Sequence, residues 1–219
     1  IRLYLLEGGF PEYIRATNPR YKGSYFVESV VERVLFHDVG PLVGATDLSL
    51  LERLFLYVNN QSGSEIRITE ASRNLGAPHS TLSNYLRYLT CSGLLYSLPK
   101  FAPSVETQRR SLERVYAIDP GLYVSLARLT PAKIESSGKW GTLAEMAVFA
   151  QLKRQGIRHL WYWREREAEV DFIFELGSEL VAVEVKYRTD PLARRNLRGL
   201  RQFQDRFHPR YKIIVSKEL

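Results

Sequence analysis

Two strand-like runs separated only by Gly177-Ser178 constrain this chain more than any other stretch of it. In the first, Val170, Phe172, Phe174 and Leu176 alternate with Glu169, Asp171, Ile173 and Glu175. In the second, Val181, Val183, Val185 and Tyr187 alternate with Leu180, Ala182, Glu184 and Lys186. A period of two is what a strand with one face in a core requires, because successive side chains leave opposite faces. Glycine first in a two-residue loop predicts a type II′ hairpin, whose twist suits the flanking strands. Such a turn fixes register, and counting outward from it sets Asp171 directly across from Glu184. Their Cβ atoms would stand about 5 Å apart on one face. Like charges so placed destabilise a hairpin and push one carboxyl towards protonation. Lys186, on the same face, is one compensation. A divalent cation is the other, and Mg2+ takes one or two carboxylates while keeping waters for a phosphate.

Around the hairpin the chain can supply a helix over 142–155, strands over 159–164, 170–176 and 179–187, a helix over 192–207 and a strand over 211–216. Asp171, then Glu184-Val185-Lys186 across a hairpin, resembles the PD-(D/E)xK nuclease fold of many restriction enzymes and archaeal junction resolvases. The resemblance implies a restriction-endonuclease-like αβββαβ domain over 131–219, with Asp171, Glu184 and Lys186 catalytic and Asp171 and Glu184 binding Mg2+. It also implies a carboxylate on the first helix, matched by Glu145, as a third catalytic group and metal ligand. Val170 departs from the family's proline before the aspartate. Two bland readings stand beside this one. Thr142-x-x-Glu145 has the spacing of a capping box. Glu169 opposite Lys186, with Asp171 diagonal to it, has that of an exposed ion-pair ladder worth about 0–1 kcal/mol per pair.

Charge favours a nucleic-acid partner. The net charge is +7, and the stretch 187–217 alone carries nine Lys and Arg against two Asp, an excess equal to that of the whole chain. A basic surface beside a phosphodiester-cleaving site suits DNA, with RNA as the alternative; Arg194, Arg195 and Arg198 are its candidate contacts. A merely solvated arginine-rich helix face explains the same residues. Cys91 is the single cysteine, so there is no internal disulfide framework, which suits a reducing cytoplasm. His37, His79, His159 and His208 are scattered, against a zinc site. No apolar run spans a bilayer and no signal-peptide pattern opens the chain, so no membrane partner is expected.

Upstream, apolar spacing marks a helix at Leu48, Leu51, Leu54, Phe55 and Val58, a short one over 70–75, a Gly76-Ala77-Pro78 turn, and a third from Ser80 or His79. Two strands follow, over 94–98 and 112–118. This resembles a winged helix-turn-helix domain over 48–130, with Arg109 and Arg110 in its wing. Ser80, Thr81, Ser83, Asn84 and Arg87 on the outer face of its second helix are suited to phosphates and base edges. Winged helices also dock proteins, and Tyr85 and Tyr88 read as packing residues. Cys91 reads as a small core residue. Pro131, Ser136, Ser137, Gly138 and Gly141 mark the boundary with the nuclease-like part.

Residues 1–47 read as a helical linker. Gly8-Gly9-Phe10-Pro11-Glu12 is turn-like, and Tyr25, Phe26 and Val30 open a helix expected over 24–39. GGFPE with this helix, and the spacing of the terminal Glu, Asp and Glu-x-Lys, resembles the region after the ATPase module in a family of prokaryotic AAA+ ATPases. In that family this region is a domain of unknown function, and its end carries a restriction-endonuclease-like fold. The resemblance implies an ATPase partner upstream of Ile1 and leaves room for a homo-oligomer. No G-x-x-x-x-G-K-[ST] loop occurs in these 219 residues, so ATP would be used only through that other module. The whole reads as an α+β chain: a Mg2+-dependent nuclease, or a non-catalytic nucleic-acid- or protein-binding module on the same fold.

Overall fold

The structure, a computed structural model, describes residues 1–39, 47–157, 159–188 and 197–217. It is a mixed α+β fold with two sheets, divided into two units: Ile1–Ser97 with Val115–Ser137, and Leu98–Arg114 with Gly138–Leu219. No helix among the described residues is long and apolar enough to cross a membrane.

In the first unit, α1 (Arg2–Glu7), α2 (Pro11–Arg15) and α3 (Pro19–Tyr25) lead into a π-helix, Phe26–Val39. Prolines open α2 and α3, where a missing N–H breaks no helical bond. The helix expected over 24–39 is there but wound more widely: its buried Phe26, Val31 and Leu35 recur at five and then four residues, the spacing of i→i+5 bonding. Next come α4 (Leu48–Asn60), β1 (Ser64–Glu65), α5 (Ile68–Leu75) and α6 (His79–Cys91), in the helix, turn, helix order expected. Asp47 caps α4, its Oδ1 accepting from Leu50 N at 2.8 Å. Gly76, at φ +64°, ends α5 in a left-handed conformation that side chains resist. Leu51, Leu54 and Phe55 of α4 share a core with Ala71, Leu82 and Leu89. Cys91 is not in it. The buried stripe of α6 is Leu82, Tyr85 and Leu89, and Cys91, two residues beyond, is exposed.

The chain continues through β2 (Leu95–Leu98), α7 (Val105–Arg110), β3 (Arg114–Ala117), α8 (Pro120–Leu126) and α9 (Pro131–Ser136). The small sheet has the order β1-β3-β2, with β2 and β3 shorter than their expected spans. Residues 1–39 fold into this unit, and backbone proximity explains GGFPE. Helix α1 packs on α8 so closely that a Cβ at Gly121 would fall 2.2 Å from Glu7 O, and one at Gly8 1.7 Å from Asp119 Oδ1. The buried Asp119 carboxylate accepts from the amides of Gly9, Gly121 and Leu122 at 2.8, 2.8 and 3.3 Å.

The second unit contains α10 (Trp140–Arg154), β4 (Leu160–Glu165), β5 (Ala168–Leu176), β6 (Glu179–Lys186), α11 (Arg198–Phe207) and β7 (Tyr211–Ser216). Its sheet runs β4-β5-β6-β7, antiparallel except for the parallel β6–β7 pair. The stretch Leu98–Arg114 joins it by pairing with β4. Phe101 N donates to Tyr162 O at 2.6 Å, Tyr162 N to Pro99 O at 3.0 Å, and Tyr162 Oη to Leu112 O at 2.7 Å.

The hairpin has the register counted from its turn, from Leu176↔Glu179 to Phe172↔Val183. Gly177 has φ +65° and Ser178 is not among the positive-φ residues, the type II′ pattern. Plain alternation in β5 is the part that fails. Ile173 faces Trp161 and Val170 faces Trp163, so three steps along β5 match two along β4. One extra residue is therefore taken up at Asp171-Phe172, a β-bulge. It turns Phe172 to stack on Phe149 of α10 at 5.9 Å, while Val170 and Ile173 both pack with Leu200 and Phe203 of α11.

Candidate functional site

The bulge leaves Asp171 where it cannot be solvated. Its carboxylate is buried at 6% exposure, and Oδ2 accepts from Val185 N at 2.7 Å, one residue beyond Glu184 on the paired strand. Glu184 is buried at 4%; Lys186 Nζ donates to its Oε1, while its Oε2 is buried with no hydrogen-bond partner. Leaving a buried acceptor so costs about 1–3 kcal/mol. Both acids respond as buried neighbours do. Burial, and then the charge of Asp171, push Glu184 from the ordinary 4.5 to about 8, against the pull of Lys186. Asp171 is also raised, chiefly by burial, against the Val185 amide, Lys186 and Arg114.

The charge of Asp171 acts on Glu184 and Lys186 joins Glu184, while the paired register of β5 and β6 runs only from Leu176↔Glu179 to Phe172↔Val183, one position short of the expected opposition. Glu145 goes elsewhere. Its helix starts at Trp140 with Lys139 as N-cap, so the capping box does not form. Arg114, at the start of β3 and buried, places Nη1 3.4 Å from Glu145 Oε1 and Nη2 2.5 Å from Glu169 Oε2, with its guanidinium 4.5 Å over the Tyr162 ring. Glu169 also lies 3.8 Å from Arg164, so the expected Glu169–Lys186 rung is replaced by Glu169–Arg114 and Glu184–Lys186 pairs. Among the described residues no group of three His, Cys, Asp or Glu is arranged to hold a metal ion. What Asp171 and Glu184 offer is a two-carboxylate edge with one orphaned oxygen. That donor set fits a hard divalent cation, which takes oxygen ligands and completes its shell with water.

Arg114 lies fifty-seven residues before Asp171, within the strand expected over 112–118. Its one signal is an arginine in an otherwise apolar strand, Arg114-Val115-Tyr116-Ala117, buried throughout. A buried arginine needs carboxylate partners.

The expected nucleic-acid contacts fall on three surfaces. On α6, Ser80, Asn84 and Arg87 are exposed and Thr81 and Ser83 half-buried, with Ser83 Oγ 3.4 Å from His79 Nδ1. Tyr85 is buried, as expected of a packing residue. Arg109 and Arg110 are exposed in the last turn of α7, in the second unit. Arg198 is exposed at the start of α11; Arg194 and Arg195 lie outside the described residues.

Residues 1–133 match the model of a family described as Domain of unknown function (DUF8612), and residues 140–219 that of a family described as Domain of unknown function (DUF4143). No curated protein and no solved structure matches the chain.

Proposed function

The chain belongs to the family described as Domain of unknown function (DUF8612), and from that premise we propose that it is a DNA-binding, Mg2+-dependent nuclease. In this reading the first unit is a winged helix-turn-helix module and the second a PD-(D/E)xK fold. The observation that carries it is the side-by-side burial of Asp171 and Glu184 with Glu184 Oε2 lacking any donor.

Asp171 and Glu184 would hold the ion. When bound, Mg2+ polarises a phosphodiester and lowers the pKa of its water. Lys186, which donates to Glu184, would neutralise a nonbridging phosphate oxygen as negative charge develops there. The Asp171–Val185 bond fixes one carboxylate while leaving its other oxygen for the ion. Ser80, Asn84 and Arg87 would meet DNA on α6, and Arg109, Arg110 and Arg198 would add phosphate contacts. The domain at 140–219 commonly occurs with AAA ATPases, which supports an ATPase module as partner.

The test is incubation of plasmid, branched and single-stranded DNA with Mg2+ or Mn2+, comparing wild type with Asp171→Asn and Lys186→Ala. Cleavage is expected in wild type and background in both variants; cutting that survives both substitutions ends the enzyme reading. One observation favours a second reading, a non-catalytic binding module. Lys186 on Glu184 and Arg114 on Glu145 and Glu169 supply internal counter-charge. Salt-dependent DNA binding without cleavage would select it.

A further inference from the structure

Arg114 reaches the second unit on a stretch, Leu98–Arg114, that leaves β2 and returns through β3. Tyr162 anchors it three times, through backbone bonds at Pro99 and Phe101 and through Oη on Leu112. The guanidinium at its end is 4% exposed and lies on the same Tyr162 ring. A planar fork of fixed donors, held on an aromatic face, has little freedom to follow a moving partner. It therefore dictates where its carboxylates stand, and those are Glu145 from α10 and Glu169 from β5.

Both carboxylates come from elements that flank the Asp171–Glu184 edge. Glu169 is two residues from Asp171, and its charge acts on Asp171 and Glu184 alike, as that of Arg114 does on Asp171. Backbone packing holds Glu169 from the other side: a Cβ at Gly199 would fall 1.7 Å from Glu169 O. The site thus has two acids without enough donors beside two acids shared with one buried cation.

We propose that Arg114 is a positioning residue that sets the divalent-ion affinity of the Asp171–Glu184 edge by keeping Glu145 and Glu169 committed to its guanidinium. Without it, the charges of Glu145 and Glu169 beside the edge would be uncompensated, and a repelling positive charge would be gone. This builds on the metal-dependent reading above, with the roles reassigned: Glu145 is a partner of Arg114 rather than a ligand of the ion.

The experiment is calorimetric titration of the full chain with Mn2+ alone, for wild type, Asp171→Asn, Arg114→Gln, Arg114→Lys, Glu145→Gln and the Arg114→Gln/Glu145→Gln double variant. Tryptophan fluorescence checks the fold of the second unit, since Trp140, Trp161 and Trp163 all lie in it. Arg114→Gln is expected to bind Mn2+ about tenfold more tightly than wild type, the equivalent of 1.4 kcal/mol. Arg114→Lys, which keeps the charge but loses the fork, gains less. The double variant gives part of the gain back, because the two residues act through one another while Glu169 and the lost positive charge still count. Glu145→Gln alone leaves the affinity within about twofold. A purely structural role for Arg114 moves stability and not this constant. A folded Arg114→Gln with unchanged or weaker binding overturns the proposal. So does a tenfold loss in Glu145→Gln, which decides the matter even where the Arg114 variants fail to fold. The underlying reading fails separately, when wild type binds no Mn2+ or binds it independently of Asp171. Binding gained by Arg114→Gln over a silent wild type upholds the positioning role alone, and silence in both overturns it.

Discussion

Asp119 in the first unit and Glu184 in the second are almost equally buried, at 2% and 4% exposure. Asp119 accepts from three backbone amides, two of them presented by the start of α8 and one by Gly9. Its charge is met by fixed donors and by the N-terminal end of a helix, where negative charge is favoured. Glu184 has one lysine on one oxygen, nothing on the other, and a second buried acid alongside. The first carboxylate closes a packing problem: it ties the N-terminal segment to α8. The second leaves one open, a buried carboxyl oxygen with no donor beside another buried acid.

The largest test of this contrast is pH. Glu184 has a folded-state pKa of about 8 against an ordinary 4.5, and Asp171 is raised in the same direction. A carboxyl raised on folding contributes stability that is full below its unfolded pKa and lost as pH climbs through the folded one. The second unit is therefore expected to weaken between about pH 4.5 and pH 8, by up to about 5 kcal/mol at 1.36 kcal/mol per unit. Guanidinium titrations followed by tryptophan fluorescence read that unit alone, because the first unit holds no tryptophan. Glu184→Gln should match wild type near pH 4.5 and exceed it at pH 8, and Mn2+ should restore the wild type at pH 8. A flat profile in wild type would show that the two acids are not in conflict.

Asp119→Ala tests the other side. It strands three amides, two of them on buried glycine and leucine, and is expected to cost the first unit roughly 3 kcal/mol. Far-UV circular dichroism would follow that loss, with Mn2+ binding to the second unit unchanged. A cost below about 1 kcal/mol would mean that α1 holds to α8 without the carboxylate.

Much of this contrast could be read from the chain itself, and the missing parts have physical reasons. Gly177-Ser178 and the flanking alternation were enough to fix the hairpin register, because a period of two tolerates no slip where a face is buried. The α4–α6 helices were legible from apolar residues recurring at helical spacing. The bulge at Asp171-Phe172 was not: alternating Val170, Phe172 and Phe174 looks the same with or without an extra residue opposite Tyr162. The wide winding of Phe26–Val39 was hidden likewise, because spacings of four and five overlap those of an ordinary helix. Asp119 leaves no local mark, as its partner Gly9 is over a hundred residues away. Arg114 was missed for that reason too, since long-range ion pairs leave no mark on local pattern.

The smallest expected effect asks what holds the acid pair in register. A Cβ at Gly177 would meet no atom within 4 Å, so Gly177→Ala carries only the strain of φ +65°. That strain is worth about 1 kcal/mol. Asn tolerates positive φ, so Gly177→Asn should cost less than half as much. Were the turn alone responsible for the register, Gly177→Ala would also loosen Mn2+ binding at Asp171 and Glu184, four strand positions or more away. The paired faces argue otherwise: a one-residue slip would carry Ala182 out of the core it shares with Phe203, along with every neighbour on its strand. The expected outcome is a chain about 1 kcal/mol less stable with Mn2+ affinity within about twofold of wild type. Loss of both together would make the glycine, rather than the two packed faces of β5 and β6, the element that brings the carboxylates side by side.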